Sequence, residues 1–117
     1  MRLAGDLVAL AYGVDGFSAS PLAEGLHGSH IAHLIVAGFG LEGPVHSTLR
    51  TAADRGWECL LVSDACAAFE PDLAPAALST IEMSGGLFGV TATADSLLTA
   101  LGTTARATAT DRGRRAV

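Results

Sequence analysis

At 117 residues the chain is long enough for one small domain and too short for two. Half of its residues are apolar and its formal net charge is -5. A core can therefore form, while the basic stripe that nucleic acid or an anionic membrane would require is absent. Cys59 and Cys66 have neither metal-pair nor redox-pair spacing and are too few for a disulfide scaffold, so a reducing, cytoplasmic setting is expected. A domain this small buries a modest fraction of its surface, which leads us to expect that it leans on a partner.

The first apolar run, Leu7 to Ala11 (LVALA), reads as a buried strand. With Asp6 beside it, it is too short and too weakly apolar for a signal peptide or a membrane span. Residues 14–20 (VDGFSAS) form a small-residue loop around Phe17. Ser20 and Pro21 suit a helix N-cap and first turn, and that helix should end near Gly28. His33 to Gly38 (HLIVAG) reads as a buried strand leading into a glycine-rich turn, Gly38 to Pro44. A helix follows from Pro44 to Arg55, and Gly56 stops it in the manner of a left-handed C-terminal cap. Residues 57–63 (WECLLVS) form the next strand. Asp64 is placed to cap a short turn of Ala65 to Ala68. Asp72 to Met83 reads as a helix broken by Gly85-Gly86, Leu87 to Thr91 as a short strand, and Thr93 to Leu101 as an amphipathic helix. The Thr-, Ala- and Arg-rich residues 103–117 carry no apolar period and are expected to be disordered, leaving a domain over residues 1–102.

Alternating strands and helices imply right-handed crossovers onto a mostly parallel sheet, a three-layer α/β/α arrangement. Ligands in such sheets sit outside the carboxyl ends of the strands, and the turn from Gly38 to Pro44 lies at such an end. Phe17, Phe39, Gly40, Leu41, Glu42, Gly43, Pro44 and His46 are accordingly the candidate pocket residues.

The segment Leu34 to Trp57, LIVAGFGLEGPVHSTLRTAADRGW, resembles the isochorismatase-like cysteine hydrolases, a family that includes nicotinamidases and carbamoyl-amide hydrolases. Gly38, Val45, Ser47, Thr48, Arg50, Ala52, Gly56 and Trp57 fall in register with its pattern. Residues 59–69 (CLLVSDACAAF), 76–101 and 15–26 (DGFSASPLAEGL) resemble the flanking family segments. The resemblance implies amide or ester hydrolysis by a cysteine at the helix start, an aspartate base, a supporting lysine and an oxyanion hole of backbone N–H groups. It implies no cofactor and no metal. It also implies a small carbonyl or amide ligand and a homo-oligomer or partner chain.

Against that pattern, Pro44 stands at the nucleophile position and Leu41 where threonine is frequent. Ala11 falls near the lysine position, and the chain contains no lysine at all. The aspartate and the first strands of the sheet would precede Met1. Proline has neither a thiol nor a backbone N–H, and members of a catalytic unit do not leave proportionate activity behind when lost. The resemblance thus implies a truncated or inactive member, or alternatively a module that binds a small molecule or a subunit without catalysis.

Other candidates have simpler explanations. Cys66 is expected as a small apolar residue without a neighbouring cation to lower its pKa, and Cys59 as core. His46 and Ser47 are adjacent on a helix and do not face each other. His27, His30 and His33 have a spacing that zinc could use on one helix face, but Gly28 interrupts it, so solvated histidines are expected. Glu42 is expected as a solvated carboxylate at a helix start. Gly38-x-Gly40-x-x-Gly43 spells a dinucleotide fingerprint, with Asp64 available as its distal acid, yet its flanks fit the hydrolase pattern better.

Overall fold

A computed structural model of the chain describes residues 3–102. The expected disordered tail, residues 103–117, lies outside the described residues.

The elements run α1 (Leu22–Gly28), β1 (His33–Phe39), a π-turn (Leu41–Val45), α2 (His46–Asp54), β2 (Glu58–Ala67), a short 3-10 turn (Pro71–Leu73), α3 (Ala74–Gly86) and β3 (Val90–Ala92). A last helix, α4, covers residues 94–102. The three strands form one parallel sheet in the order β1-β2-β3. No helix among the described residues is long and apolar enough to cross a membrane.

Burial alternates strictly along β1, as the period of two in a strand requires. Leu34 and Val36 point to the face that α2 and α3 cover, where Leu49, Leu61 and Ile81 are fully buried. Each of these is worth about 1.5–3 kcal/mol of transfer free energy. On the other face, Leu97 of α4 shares a hollow with the row Ile35, Leu60 and Val90. These three are aligned by the sheet register. Helices therefore lie on both faces, and the α/β architecture is as expected.

The ends of α2 follow from its sequence. Gly56 adopts φ +95°. Its N–H donates to Ala53 O at 3.1 Å, while Trp57 N–H donates to Ala52 O at 3.0 Å. This is the double bond pattern of a glycine-terminated helix. Trp57 then stacks on both Phe17 and His27, with ring centroids at 5.2 Å and 4.7 Å, and its indole N–H donates to Ile31 O.

Four expectations need correction. Leu7 to Ala11 is not a strand: it is irregular and largely exposed, and among the described residues no strand pairs with it. Its nearest backbone tie is Tyr12 N–H to Ser18 O at 3.2 Å. Asp64 does not cap a turn over Ala65 to Ala68. The strand continues to Ala67, with Gly38 opposite Cys66 and Phe39 opposite Ala67 beyond an irregularity after Val36. Asp64 instead accepts the Ala94 N–H at 2.8 Å, at the start of α4. The helix over Asp72 to Met83 opens as a 3-10 turn, and its break begins at Met83, before Gly85. The short strand that follows is displaced to Val90–Ala92.

Candidate functional site

The chain turns from β1 into α2 at Gly40, which takes φ +88° and ψ +53°. A Cβ there would lie 2.7 Å from the Phe69 ring and 2.8 Å from Pro44 Cδ, so glycine is required by both conformation and space. Gly40 N–H donates to Ala67 O at 2.8 Å, which ties the turn to the end of β2. In an α-helix, Gly40 O would accept the N–H of residue 44. Proline has none. Gly40 O instead accepts from Val45, one residue further on, and from Gly43, both at 3.1 Å. The five-residue spacing of the Val45 bond is what makes this a π-turn.

A cavity of about 370 Å³ opens at this carboxyl end of β1. Val36 to Phe39, Pro44 and Val45 line it together with Ala11, Gly13 and Val14 from the preceding loop. The candidate nucleophile and lysine positions, Pro44 and Ala11, thus line one space. Phe39 lines it too, edge-on to Phe69 at 4.8 Å.

The other pocket candidates lie elsewhere. Phe17 and Leu41 are buried in the core, because the turn directs Leu41 inward with Val45. Gly40 and Gly43 lie against the Phe69 ring. Glu42 and His46 face a separate hollow toward α3, with Arg50 and Thr80. The Glu42 carboxylate is not simply solvated. Its Oε1 accepts the Glu70 N–H at 2.9 Å, while Oε2 is shielded from solvent without a hydrogen-bond partner of good geometry. Desolvation opposes its charge, but the nearby N–H groups of Glu42, Glu70 and Phe69 prevail and hold its pKa below the ordinary carboxylate value.

The cavity wall contains a network that the sequence did not single out. Asp15 Oδ1 accepts the N–H groups of Phe17 and Ser18, both at 2.7 Å. Its Oδ2 accepts Thr51 Oγ1 at 2.9 Å and Ser18 Oγ at 3.1 Å. Burial pushes the Asp15 pKa up, but the Thr51, Phe17 and Ser18 bonds outweigh it, and the net shift is downward. One turn away on α2, Thr48 Oγ1 donates to Pro44 O at 2.7 Å and accepts the Gly16 N–H at 2.9 Å. Thr48 and Thr51 together latch the loop onto α2. Among the described residues Asp15 is the one carboxylate lining the cavity, and its acceptor sites are already taken.

The chemistry available follows from these facts. Around Pro44, the N–H groups of Gly40, Gly43 and Val45 are committed to carbonyls, and Pro44 has none. Cys66 is half-buried in β2 and does not line the cavity. A slightly larger hollow, about 400 Å³, lies at the opposite ends of the strands beside Gly56, Trp57 and Gly89. Its cysteine, Cys59, has its pKa raised by burial, so it is a thiol and a poor nucleophile. Among the described residues, no three His, Cys, Asp or Glu side chains converge as a metal site. His27 stacks on Trp57 and His33 pairs with Glu58 at 3.1 Å.

The model of the isochorismatase domain matches residues 2–96. The chain belongs to the isochorismatase family. Solved structures agree on the fold. An isochorismatase-like hydrolase from Alkaliphilus metalliredigens superimposes with a TM-score of 0.79 at 18% identity, over 86% of this chain and 54% of that one. A nicotinamidase/pyrazinamidase from Bacillus subtilis gives 0.62 at 27% identity, over 67% of this chain and 42% of that one. An N-carbamoylsarcosine amidase from Thermoplasma acidophilum gives 0.67 at 22%, over 80% and 51%. The chain spans about half the length of these three structures.

Proposed function

We propose that this polypeptide is an isochorismatase-family protein that does not by itself hydrolyse amides or esters. The observation carrying this reading is Pro44, which supplies neither a thiol nor an N–H where the resemblance places both. One missing oxyanion donor alone costs on the order of 3 kcal/mol of transition-state stabilisation. The neighbouring N–H groups of Gly43 and Val45, spent on Gly40 O, do not replace it. Nor does Asp15 serve as base, since its low pKa and occupied oxygens make it a weak proton acceptor.

The test is ammonia release by the purified 117-residue chain from nicotinamide, pyrazinamide and N-carbamoylsarcosine, the substrates implied by the names of its structural neighbours. We expect none above the uncatalysed rate. Turnover lost on Cys66→Ala would overturn the proposal and assign the nucleophile to Cys66, and turnover surviving that change would overturn it with a nucleophile elsewhere.

The cavity favours a second reading, binding without turnover. At about 370 Å³ with mostly apolar walls, it falls in the range of small-molecule sites. A small carbonyl or amide compound is the expected ligand. Saturable shifts of the Val36, Ala37 and Thr48 amide resonances on titration with nicotinamide would support this reading, and unchanged resonances at millimolar ligand would reject nicotinamide as that ligand.

A further inference from the structure

The hollow between α2 and α3, of about 330 Å³, is separate from the Pro44 cavity and shares no lining residue with it. Glu42, His46 and Arg50 line it from the π-turn and α2. Their spacing of four sets neighbours along one face. Thr80 and the apolar Leu73, Ala76 and Ala77 line it from α3 and the turn before it.

The three titratable side chains differ in what they have left to offer. Glu42 is engaged: its Oε1 accepts the Glu70 N–H at 2.9 Å, and its Oε2 is shielded from solvent. His46 bonds the Ala77 backbone, and burial together with the Arg50 charge lowers its pKa, so it is a neutral imidazole at pH 7. Arg50 is different. Its guanidinium carbon lies 4.4 Å from the centroid of the Phe88 ring. Stacking on an aromatic face occupies the plane of a guanidinium and leaves its N–H edge available. Among the described residues the one ion pair joins His33 to Glu58, so no carboxylate meets that edge. A guanidinium fork matches a carboxylate bidentately.

We propose that this hollow binds a small monocarboxylate, with its anion on the Arg50 guanidinium and its apolar body against Leu73, Ala76 and Ala77. The negative charge of Glu42 at the same hollow disfavours a dianion such as phosphate. The volume is at the lower end for small-molecule sites, which sets a compact body. Arg50 is itself exposed, so solvent screens the contact and the affinity is modest.

His46 tunes that affinity. A protonated His46 is repelled by Arg50, and a bound anion offsets the repulsion. Protonation and binding therefore favour each other, as linkage requires. The charged groups at the hollow besides His46 are Arg50 and Glu42, and α3 brings none to it.

Sodium butyrate is the probe, and butyramide is its uncharged counterpart. Titrated into the purified 117-residue chain at constant ionic strength and pH 5.5, butyrate should shift the His46 ring resonances saturably, with a dissociation constant on the order of a millimolar. An ordinary carboxylate, of pKa about 4, is still ionised there. Binding should weaken severalfold at pH 7.5, and saturating butyrate should raise the His46 pKa. Arg50→Gln should weaken binding by about tenfold or more. Arg50→Lys should fall between that variant and the wild type, because it keeps the charge and loses the fork. If circular dichroism shows that Arg50→Gln loses its fold, Arg50→Lys against the wild type carries the comparison. Resonances still unmoved at about 50 mM butyrate, on the order of fifty times that constant, would overturn the proposal. So would butyramide binding as tightly as butyrate, or an affinity unchanged in the folded Arg50 variants.

Discussion

Replacing Pro44 by cysteine returns a thiol and a backbone N–H to the start of α2 together, and so isolates what else is missing. In a Cys66→Ser background the remaining native thiol is Cys59, buried and raised in pKa, so alkylation reports on position 44. An ordinary thiol has a pKa of about 8.5, and the helix start lowers it somewhat. Ala11 is exposed and lines the same cavity, so a lysine there can bring its ammonium toward the thiolate. An opposite charge within about 4–6 Å lowers a pKa by roughly 1–3 units, and one unit is about 1.4 kcal/mol. Taking the lower end, Pro44→Cys with Ala11→Lys should be alkylated by iodoacetamide at pH 7 up to about ten times faster than Pro44→Cys alone. The midpoint of its rate-pH profile should fall by about one unit. Neither variant should release ammonia from nicotinamide, because the cavity offers no carboxylate with free acceptor sites. Equal midpoints would show that residue 11 does not stand across from residue 44. Turnover by Pro44→Cys alone would show that a base reaches the cavity from a group not placed there by this structure.

Two further outcomes follow from the cavity wall and from its neighbouring hollow. Asp15→Ala removes the acceptor of the Phe17, Ser18 and Thr51 bonds and should cost about 2 kcal/mol; calorimetry should show a Tm lower by roughly 10 °C, and an unchanged Tm would mean that the latch carries no stability. His46 has its pKa lowered by burial and by the charge of Arg50, against a raising bond to Ala77. Its folded pKa thus lies below the unfolded one, so its contribution is complete above about pH 6.5 and is lost as the pH falls through the folded value. Urea unfolding between pH 7.5 and 5 should therefore show a smaller loss of stability in His46→Gln than in the wild type, and parallel losses would refute the assignment.

What could be read in the sequence was what depends on short range. The strand from His33, the helix stopped by Gly56 and the strand after Trp57 each combine an apolar period with a local terminator. Their positions came out within a few residues. Leu7 to Ala11 failed because a strand is a property of a pair, and the apolar run says nothing about whether a neighbour exists. Asp64 failed because a carboxylate can cap whichever N–H is nearest in space, and Ala94 lies thirty positions away. Among the pocket candidates, Phe39 and Pro44 line the cavity, whereas Phe17 and Leu41 joined the core and Glu42 and His46 turned toward α3. For Leu41, Glu42 and His46 the π-turn decides this, because it sets the directions of the side chains between Gly40 and His46, whereas Phe17 is placed by its stacking on Trp57. The Asp15 latch was half visible. An aspartate two residues before Phe17 is an Asx-turn signal, but Thr48 and Thr51 become its partners only when α2 packs on the loop.

The π-turn also explains how the fold tolerates proline at the point where the family pattern has its nucleophile. In a regular helix start, a residue at position 44 would give its N–H to Gly40 O. Val45 takes that acceptor here, so the buried carbonyl is satisfied and proline costs no hydrogen bond. The change is therefore selective. It withdraws the thiol and the N–H while Thr48, held by Pro44 O and Gly16, keeps the wall in place.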